Sequence, residues 1–499
     1  MKFKNYLFIL FAVCLAIGCE DLEDTYSDYA GDGAIRYLGS AENLSIHPGW
    51  KRLLVKWTNS VDPAIDHIKL QWNLNGVTKD TILARDVTEC NLKNLKDGNY
   101  EISIFGVDKN GATSLAQPLY GRPYTEEHEA IRSFTQVVAK HVCIGDRLIL
   151  FFSDWQSNVD SVSLNYYTPE GKLAHFELDS VFVTKNKYCL FEYPVDPSKE
   201  ISIYRRGRVE GCEELIVFAP YIFTNEKLYT TDFKQWVKEK YGRTEITEEW
   251  INSLEDFEYD YDVNSFEDLL NIPNLKTLTL GKNRYMDVSR GDSIYSTLID
   301  KERSVFTLNT LSLLNGLSVD RYSKHYFTDD VLPDYVKEKG NTNTPPAVSF
   351  FVGKQWVYEC SEEDAPGYNS RLMFLFDGSS RTNWVPEKKS QARTYVIEVD
   401  MLEQKTVTGV RVLQSSFSNS NNGEYYALMP DVIKIECSVD RLSWQAATHV
   451  KVNTIGNSNG ESTYLDFKEK SNVRYLRFTI YDQPFGSNFG VRLAGIDVY

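Results

Sequence analysis

The sequence predicts a multidomain, mainly β protein, and two observations carry that expectation. First, apolar–polar alternation recurs along the chain, for example in Arg52–Trp57, His67–Trp72, Val162–Tyr167, Tyr395–Asp400, Thr406–Val412, Val432–Val439 and Val473–Ile480. Period-2 alternation broken by Gly, Asn, Ser and Pro turns marks half-buried antiparallel strands. Second, the texture changes in 226–340, where apolar residues fall at helical spacing and then at leucine-rich spacing. A chain of 499 residues has room for about three or four domains.

Residues 1–18 read as a targeting segment. Lys2 and Lys4 precede an apolar run, Tyr6–Gly18, that is too short to span a bilayer. The run ends Ala16-Ile17-Gly18-Cys19, which resembles a bacterial lipobox with Ala16 where Leu is commoner. The resemblance implies lipidation of Cys19. The acidic Glu20–Asp24 resembles the surface-export signal of Bacteroidetes lipoproteins. The expectation is a surface-exposed lipoprotein of the outer membrane, with 19–33 as a tether and lipid as its sole membrane contact. The net charge of −16 argues against nucleic acid and anionic lipid as partners.

Residues 34–125 read as a first sandwich. Leu95-Lys-Asp-Gly-Asn-Tyr100 leads into Glu101-Ile-Ser-Ile-Phe-Gly-Val107, the pattern of a tyrosine corner before a late strand. Together with the strands at Arg52 and His67, this resembles a fibronectin type III or immunoglobulin-like domain. Tyr26–Tyr37 followed by Lys51–Asn73 also resembles an uncharacterised domain found behind the lipobox of Bacteroidetes surface lipoproteins. Trp57 and Trp72 occupy strand positions where such sandwiches bury aromatics, so core packing is expected of them over sugar stacking. In 130–225, Arg147–Phe152 and Val162–Tyr167 echo the first strand pair. The echo predicts a degenerate repeat, hence a second Ig-like sandwich.

In 226–340, Thr231–Tyr241 has Phe233, Trp236 and Val237 on one helical face; Thr247–Phe257 and Asp330–Lys339 read as further helices. Phe266-x-x-Leu269-x-x-Ile272-x-x-Leu275-x-x-Leu278-x-Leu280-x-x-Asn283 matches a leucine-rich-repeat unit, with a poorer echo at Leu308, Leu311, Leu313 and Asn315. Two units are fewer than a solenoid needs. The expectation is a small α/β insert with one or two short parallel strands; a truncated leucine-rich-repeat-like spacer is the alternative. Asn341–Pro346 reads as a linker.

Residues 347–499 carry most of the functional signal. DGSSRTNW (Asp377–Trp384), KTVTGVRV (Lys405–Val412), SVDRLSW (Ser438–Trp444), VRYLRFTI (Val473–Ile480) and RLAGIDVY (Arg492–Tyr499) follow the order and spacing of a discoidin domain. That family includes the coagulation factor V/VIII C-type domains and the galactose-binding-like carbohydrate-binding modules of family 32. The resemblance implies a jelly-roll sandwich that binds ligands through loops at one end; it does not imply catalysis. In sugar-binding members calcium often sits near the DG…T turn, and the matching residues are Asp377, Ser380 and Thr382. Hard oxygen donors suit calcium. Gly495 stands where calcium binders often place a Glu, which removes a ligand. The plain alternative is that Asp377-Gly378 makes the turn and Trp384 fills the core. Trp444 is expected in the core too.

Two loops fall where sugar-binding relatives place contacts. Ser415–Leu428 contains Phe417, Asn419, Asn421, Asn422, Tyr425 and Tyr426; Asp482–Phe489 contains Gln483, Phe485, Asn488 and Phe489. A sugar presents C–H faces and hydroxyls, so its site wants an exposed ring and planar hydrogen-bonding groups.

Other motifs carry less. Asp260-Tyr-Asp262-Val-Asn264 begins like a calcium loop but has Ser265 for the required Gly and Asn271 for the closing Glu, so a solvated acidic surface is expected. Gly456-Asn-Ser458-Asn-Gly460 spells a nucleophile elbow without the helix an elbow needs. Cys90, Cys143, Cys189, Cys212, Cys360 and Cys437 show no CxxC spacing, so zinc is not expected. Cys189 with Cys212 is the first disulfide to check, with free thiols as the alternative. The resulting expectation is a non-enzymatic lipoprotein that captures glycan, for an outer-membrane uptake transporter or for attachment. A protein-binding adhesion subunit is the alternative; an enzyme centred in 226–340 is a third and weaker one, because that segment is small for a catalytic domain.

Overall fold

The computed structural model describes residues 37–286, 295–327, 332–340, 344–362, 371–417 and 423–499. Cys19, the tether, Asn419, Asn421 and Asn422 lie outside the described residues.

The first sandwich sets a three-stranded sheet (Glu42–Gly49, Arg52–Thr58, Glu89–Leu92) against a four-stranded one (Val77–Ala84, His67–Leu74, Tyr100–Val107, Leu119–Gly121), with antiparallel pairing throughout. Alternation along Arg52–Thr58 buries Leu53, Val55 and Trp57 in the core. Trp72 is half-buried and packs against the same core. The tyrosine corner is present: Lys96 N donates to Tyr100 Oη at 3.1 Å.

The second sandwich repeats the plan. Arg147–Phe152 lies in a three-stranded sheet with Val138–Ile144 and Tyr188–Leu190, and Val159–Tyr167 lies in the facing sheet between Leu173–Leu178 and Ser202–Gly207. The run Arg147-Leu-Ile-Leu-Phe-Phe152 does not alternate in burial. Leu148, Leu150 and Phe152 fill this sandwich, whereas Ile149 and Phe151 point into the core of the next unit. A strand covered on both faces reads as a continuous apolar run. Cys189 and Cys212 are both buried in this core and are free thiols, not a disulfide. Burial pushes each of these two thiols up to about 11.

In 226–340 four short strands, Asp256–Tyr259, Thr277–Leu280, Ser318–Arg321 and Val336–Glu338, form an all-parallel sheet in chain order. This is more sheet than the one or two strands expected. Leu269, Ile272, Leu275, Leu278 and Leu280 are all fully buried, as the leucine-rich spacing requires. Thr230 caps the helix Thr231–Tyr241 and Thr247 caps the helix Glu248–Ser253, each accepting from the third helical N–H. Three expectations are corrected. The echo around Leu308 is not a repeat strand: it lies on the helix Lys301–Asn315, where Leu308 and Leu311 are buried and Leu313 is exposed. The third helix is replaced, within its described part, by the strand Val336–Glu338, which finds a parallel partner in Ser318–Arg321. Asp260 is buried, not a solvated surface carboxylate; its oxygens accept from Asn283 N and Nδ2 at 2.9 and 2.8 Å.

The C-terminal unit is built on two long strands, Thr394–Leu413 and Glu461–Tyr481, which pair antiparallel almost end to end. Register shifts between Asp400 and Lys405 and between Val407 and Gly409 bend the pair. Val432–Ser438, Val357–Cys360 and Gly495–Val498 complete the sheet around one large core. Trp384 is 1% exposed and meets Tyr395 edge-on at 4.9 Å. Trp444 corrects its expectation: it is half-buried, with the Arg477 guanidinium 3.8 Å above its ring, outside the core.

The linker 341–346 does not separate the last two units. Tyr285–Met286 pairs with Glu461–Ser462 as an added strand. Beside it, Arg284 forms a buried two-pronged ion pair with Glu461, with Arg284 Nη2 2.9 Å from Glu461 Oε2. The Gly456–Gly460 loop is the cradle of this carboxylate. A Cβ on Gly456 would fall 1.9 Å from Glu461 Oε1, and Ser458 N donates to Oε2 at 3.0 Å. The elbow-like spelling is thereby explained by close backbone approach.

Candidate functional site: a loop edge of the C-terminal sandwich

Three segments meet at one edge of this sandwich. The hairpin Gln483–Phe485 with Asn488–Gly490 turns at Gly486, whose φ of +61° suits a two-residue hairpin loop. Its base is fixed by buried Asp482, whose Oδ2 accepts from Arg393 N at 3.0 Å and Nε at 3.1 Å. The short helix Gly423–Ala427 packs against this hairpin. The third segment, 385–392, joins through paired backbone bonds between Lys389 and Phe489 at 3.0 and 2.7 Å.

These segments place Tyr425, Tyr426, Phe485, Lys388, Glu424 and Arg492 together. Lys388 Nζ is 2.6 Å from Glu424 Oε1 and 5.9 Å from the centre of the Phe485 ring. The Arg492 guanidinium lies 4.0 Å over the Tyr425 ring. Phe485 is 37% exposed, Asn488 is exposed, and Tyr425, Tyr426, Gln483 and Phe489 are half-buried. Lys389 pairs with Glu387 at the rim and holds that carboxyl below its ordinary range. The edge offers ring faces flanked by a cation, an ion pair and amides. It can hold a flat, hydroxylated ligand by stacking and hydrogen bonds.

Phe417 corrects its expectation as a contact. It is 8% exposed and lies edge-on under Tyr425 at 5.1 Å and Tyr426 at 4.9 Å. Its own backbone is pinned by the Asn459 amide, which donates to Phe417 O and accepts from Phe417 N, both at 2.9 Å. Phe417 therefore braces the tyrosines. Sequence reasoning missed Lys388, Glu424, Asn459 and Arg492 as members of this edge. Arg492 sits inside a family motif, Glu424 inside the loop Ser415–Leu428 and Asn459 inside Gly456–Gly460, but nothing local marks Lys388.

The Asp377 turn lies elsewhere, beside a 230 Å³ pocket lined by Phe350, Trp356, Phe376, Arg411 and Asp497. Asp377 accepts from Ser379 N at 2.9 Å and from Thr382 Oγ1 at 2.9 and 3.0 Å. Asp497 is engaged by Arg411 Nη2 at 2.6 Å. Among the described residues no group of three or more His, Cys, Asp or Glu side chains could hold a metal. Calcium prefers six to eight oxygens. Ser380 is half-buried at the same turn, so Asp377, Ser380 and Thr382 offer fewer side-chain oxygens than a complete calcium shell, and main-chain oxygens would have to supply the rest.

The C-terminal unit is thus a β-sandwich with a loop edge on which aromatic and polar side chains converge. Residues 358–492 match the F5/8 type C domain family, and the C-terminal unit is an F5/8 type C domain. Residues 19–202 match a second family, described as a domain of unknown function (DUF4998), which spans the first sandwich and most of the second. Among solved structures, the chain is similar to the C-terminal domain of a chitobiase from Bacteroides fragilis (20% identity, 30% of this chain and 97% of that one, TM-score 0.24). It is also similar to the family 32 carbohydrate-binding module of C. perfringens NanJ, solved with galactose (13% identity, 30% and 98%, TM-score 0.24). A two-domain fibronectin type III segment from chicken tenascin is similar at 14% identity over 37% of this chain and 98% of that one, TM-score 0.19. No curated protein matches the chain. Among the described residues, no helix is long and apolar enough to cross a membrane.

Proposed function

We propose that this protein is a non-catalytic glycan-binding lipoprotein whose C-terminal sandwich captures sugar at the Tyr425–Phe485 edge. The observation that carries the reading is that edge: exposed Phe485 and half-buried Tyr425 beside Lys388, Glu424 and Arg492, on an F5/8 type C domain. Rings meet the C–H faces of a sugar, and the charged groups meet its hydroxyls. The lipobox-like sequence supports attachment through Cys19 at the outer membrane, where many anchored copies would add their weak single-site affinities. Delivery to an outer-membrane transporter and attachment to a glycan-coated surface both fit this placement.

The test is a glycan array with the full chain and its Tyr425→Ala and Phe485→Ala variants. Retention of a glycan by the parent and its loss in both variants is expected. Undiminished retention in both would remove the edge from the reading. For the anchor, Cys19→Ala is expected to release the protein from membranes; continued membrane association would argue against lipidation.

A further inference from the structure

Among the described residues three arginines are buried: Arg205, Arg284 and Arg321. Arg284 meets Glu461 and Arg321 meets Glu338. Arg205 meets no carboxylate. Its Nη1 donates to Thr135 O at 2.9 Å and its Nη2 to Ala219 O at 3.0 Å, while Nε has no partner. The guanidinium rests 5.7 Å from the centre of the Phe218 ring, itself stacked on Phe134 at 3.9 Å. Carbonyls and a ring face soften the burial of a charge but do not neutralise it. A buried ion is normally paired.

Arg205 lines a cleft of 490 Å³ where the first sandwich meets the second. That volume lies within the range of small-molecule sites, which favour domain junctions. One wall is Trp50, contributed by the first sandwich and half-buried; another is Tyr221, also half-buried. Glu126 is at the rim, but Lys51 Nζ already holds it at 2.5 Å. Arg132 is exposed at the same rim and adds a second positive charge. Two cationic residues, one of them sequestered, thus line a cavity that also offers aromatic walls.

We propose that this cleft is a second ligand site, which takes the carboxylate of a sugar acid. The carboxylate supplies the counter-charge that Arg205 lacks, and the sugar ring lies against Trp50. The charge balance favours one negative group, because Arg205 is the single sequestered cation of the cleft and Arg132 remains hydrated. The aromatic walls favour a ring-bearing acid over a small free anion. This inference does not rest on the loop edge of the C-terminal sandwich.

Calorimetric titration of the full chain with sodium glucuronate, glucose and sodium acetate tests it. Saturable binding of glucuronate, with glucose and acetate much weaker, is expected. Arg205→Met is expected to weaken glucuronate by about tenfold or more, the scale of a charge-assisted hydrogen bond. Arg132→Gln, at an exposed position where substitution is expected to change stability little, is expected to weaken it by a few fold and to reduce its salt sensitivity. Trp50→Ala is expected to bring glucuronate down to the level of acetate. Tyr425→Ala/Phe485→Ala is expected to bind glucuronate as the parent does; loss of binding there would move the site to the C-terminal edge and overturn the assignment. Glucuronate no tighter than glucose, or unchanged in Arg205→Met and Arg132→Gln, would also overturn it. Equal binding of acetate would overturn the choice of a sugar acid.

Discussion

Arg284 and Glu461 are ion-paired in the interior, across the joint between the parallel-stranded unit and the C-terminal sandwich, at 6% and 0% exposure. Burial alone would make Arg284 easier to deprotonate, but the Glu461 carboxylate raises its pKa instead. Removing one partner strands the other charge, at a cost of about 3–5 kcal/mol. Arg284→Met is therefore expected to shift urea unfolding of the C-terminal half strongly. The double variant Arg284→Met/Glu461→Leu is expected to recover much of the loss. A single variant as stable as the parent would show that the joint is not held this way.

Phe417 and Phe485 are expected to separate stability from recognition. Phe417→Ala empties a buried position beneath two tyrosines and is expected to cost about 3 kcal/mol. Phe485→Ala removes an exposed ring and is expected to alter stability by less than about 0.5 kcal/mol while abolishing glycan retention. Thermal melts paired with affinity electrophoresis check both.

His325 gives the stability a pH dependence of known sign. Burial, then the Arg284 and Arg321 charges, depress its pKa to about 3. Its Nδ1 accepts from Ser296 N at 2.9 Å, which requires the neutral ring. The unfolded chain binds a proton near pH 6.5 that the folded chain refuses until about pH 3. The stability His325 supports is therefore present above about pH 6.5 and lost as pH falls from there towards 3, by up to about 1.4 kcal/mol per unit. Urea midpoints at pH 7, 6, 5 and 4 are expected to fall less steeply in His325→Gln than in the parent. Equal slopes would exclude the ring as the titrating group.

Calcium removal is expected to matter little to the fold. Asp377 already accepts from Ser379 and Thr382, and Gly495 adds no oxygen side chain to the turn. A melt in chelator is expected to lie within about 2 °C of one in calcium, since even a site of roughly millimolar affinity adds only about 0.6 kcal/mol at twice that concentration. A large upward shift in calcium would show that main-chain oxygens complete the shell.

Much of the fold was legible because its signals are local. Alternation along Arg52–Thr58 and the tyrosine corner at Tyr100 depend on near neighbours, and both are found where expected. The leucine spacing from Phe266 to Leu280 likewise lands in the core. The misreadings share a cause. Leu308–Asn315 has leucine-rich spacing and helical spacing at once, and only the packing of Leu308 and Leu311 chooses the helix. Val336–Glu338 becomes a strand because a parallel partner is waiting for it. Asp260 looks like surface until Asn283, far along the chain, satisfies it in the interior. The candidate site follows the same rule: Tyr425 and Phe485 were visible as loop aromatics, whereas Lys388 and Arg492 joined them only by convergence.

By itself, the sequence determined the mainly β character, the repeated sandwich and the discoidin motifs, because periodicity and turn chemistry act over a few residues. At Asp377–Trp384 the structure shows a self-bonded turn at Asp377 followed by a buried Trp384. Tertiary structure alone decided which charges share a partner. It joined Arg284 to Glu461 across the expected linker and pinned Phe417 with Asn459. It also left Arg205 buried at a cleft with no carboxylate paired to it among the described residues. Pairing energies depend on distance and burial, and neither is written in the spacing of residues along a chain.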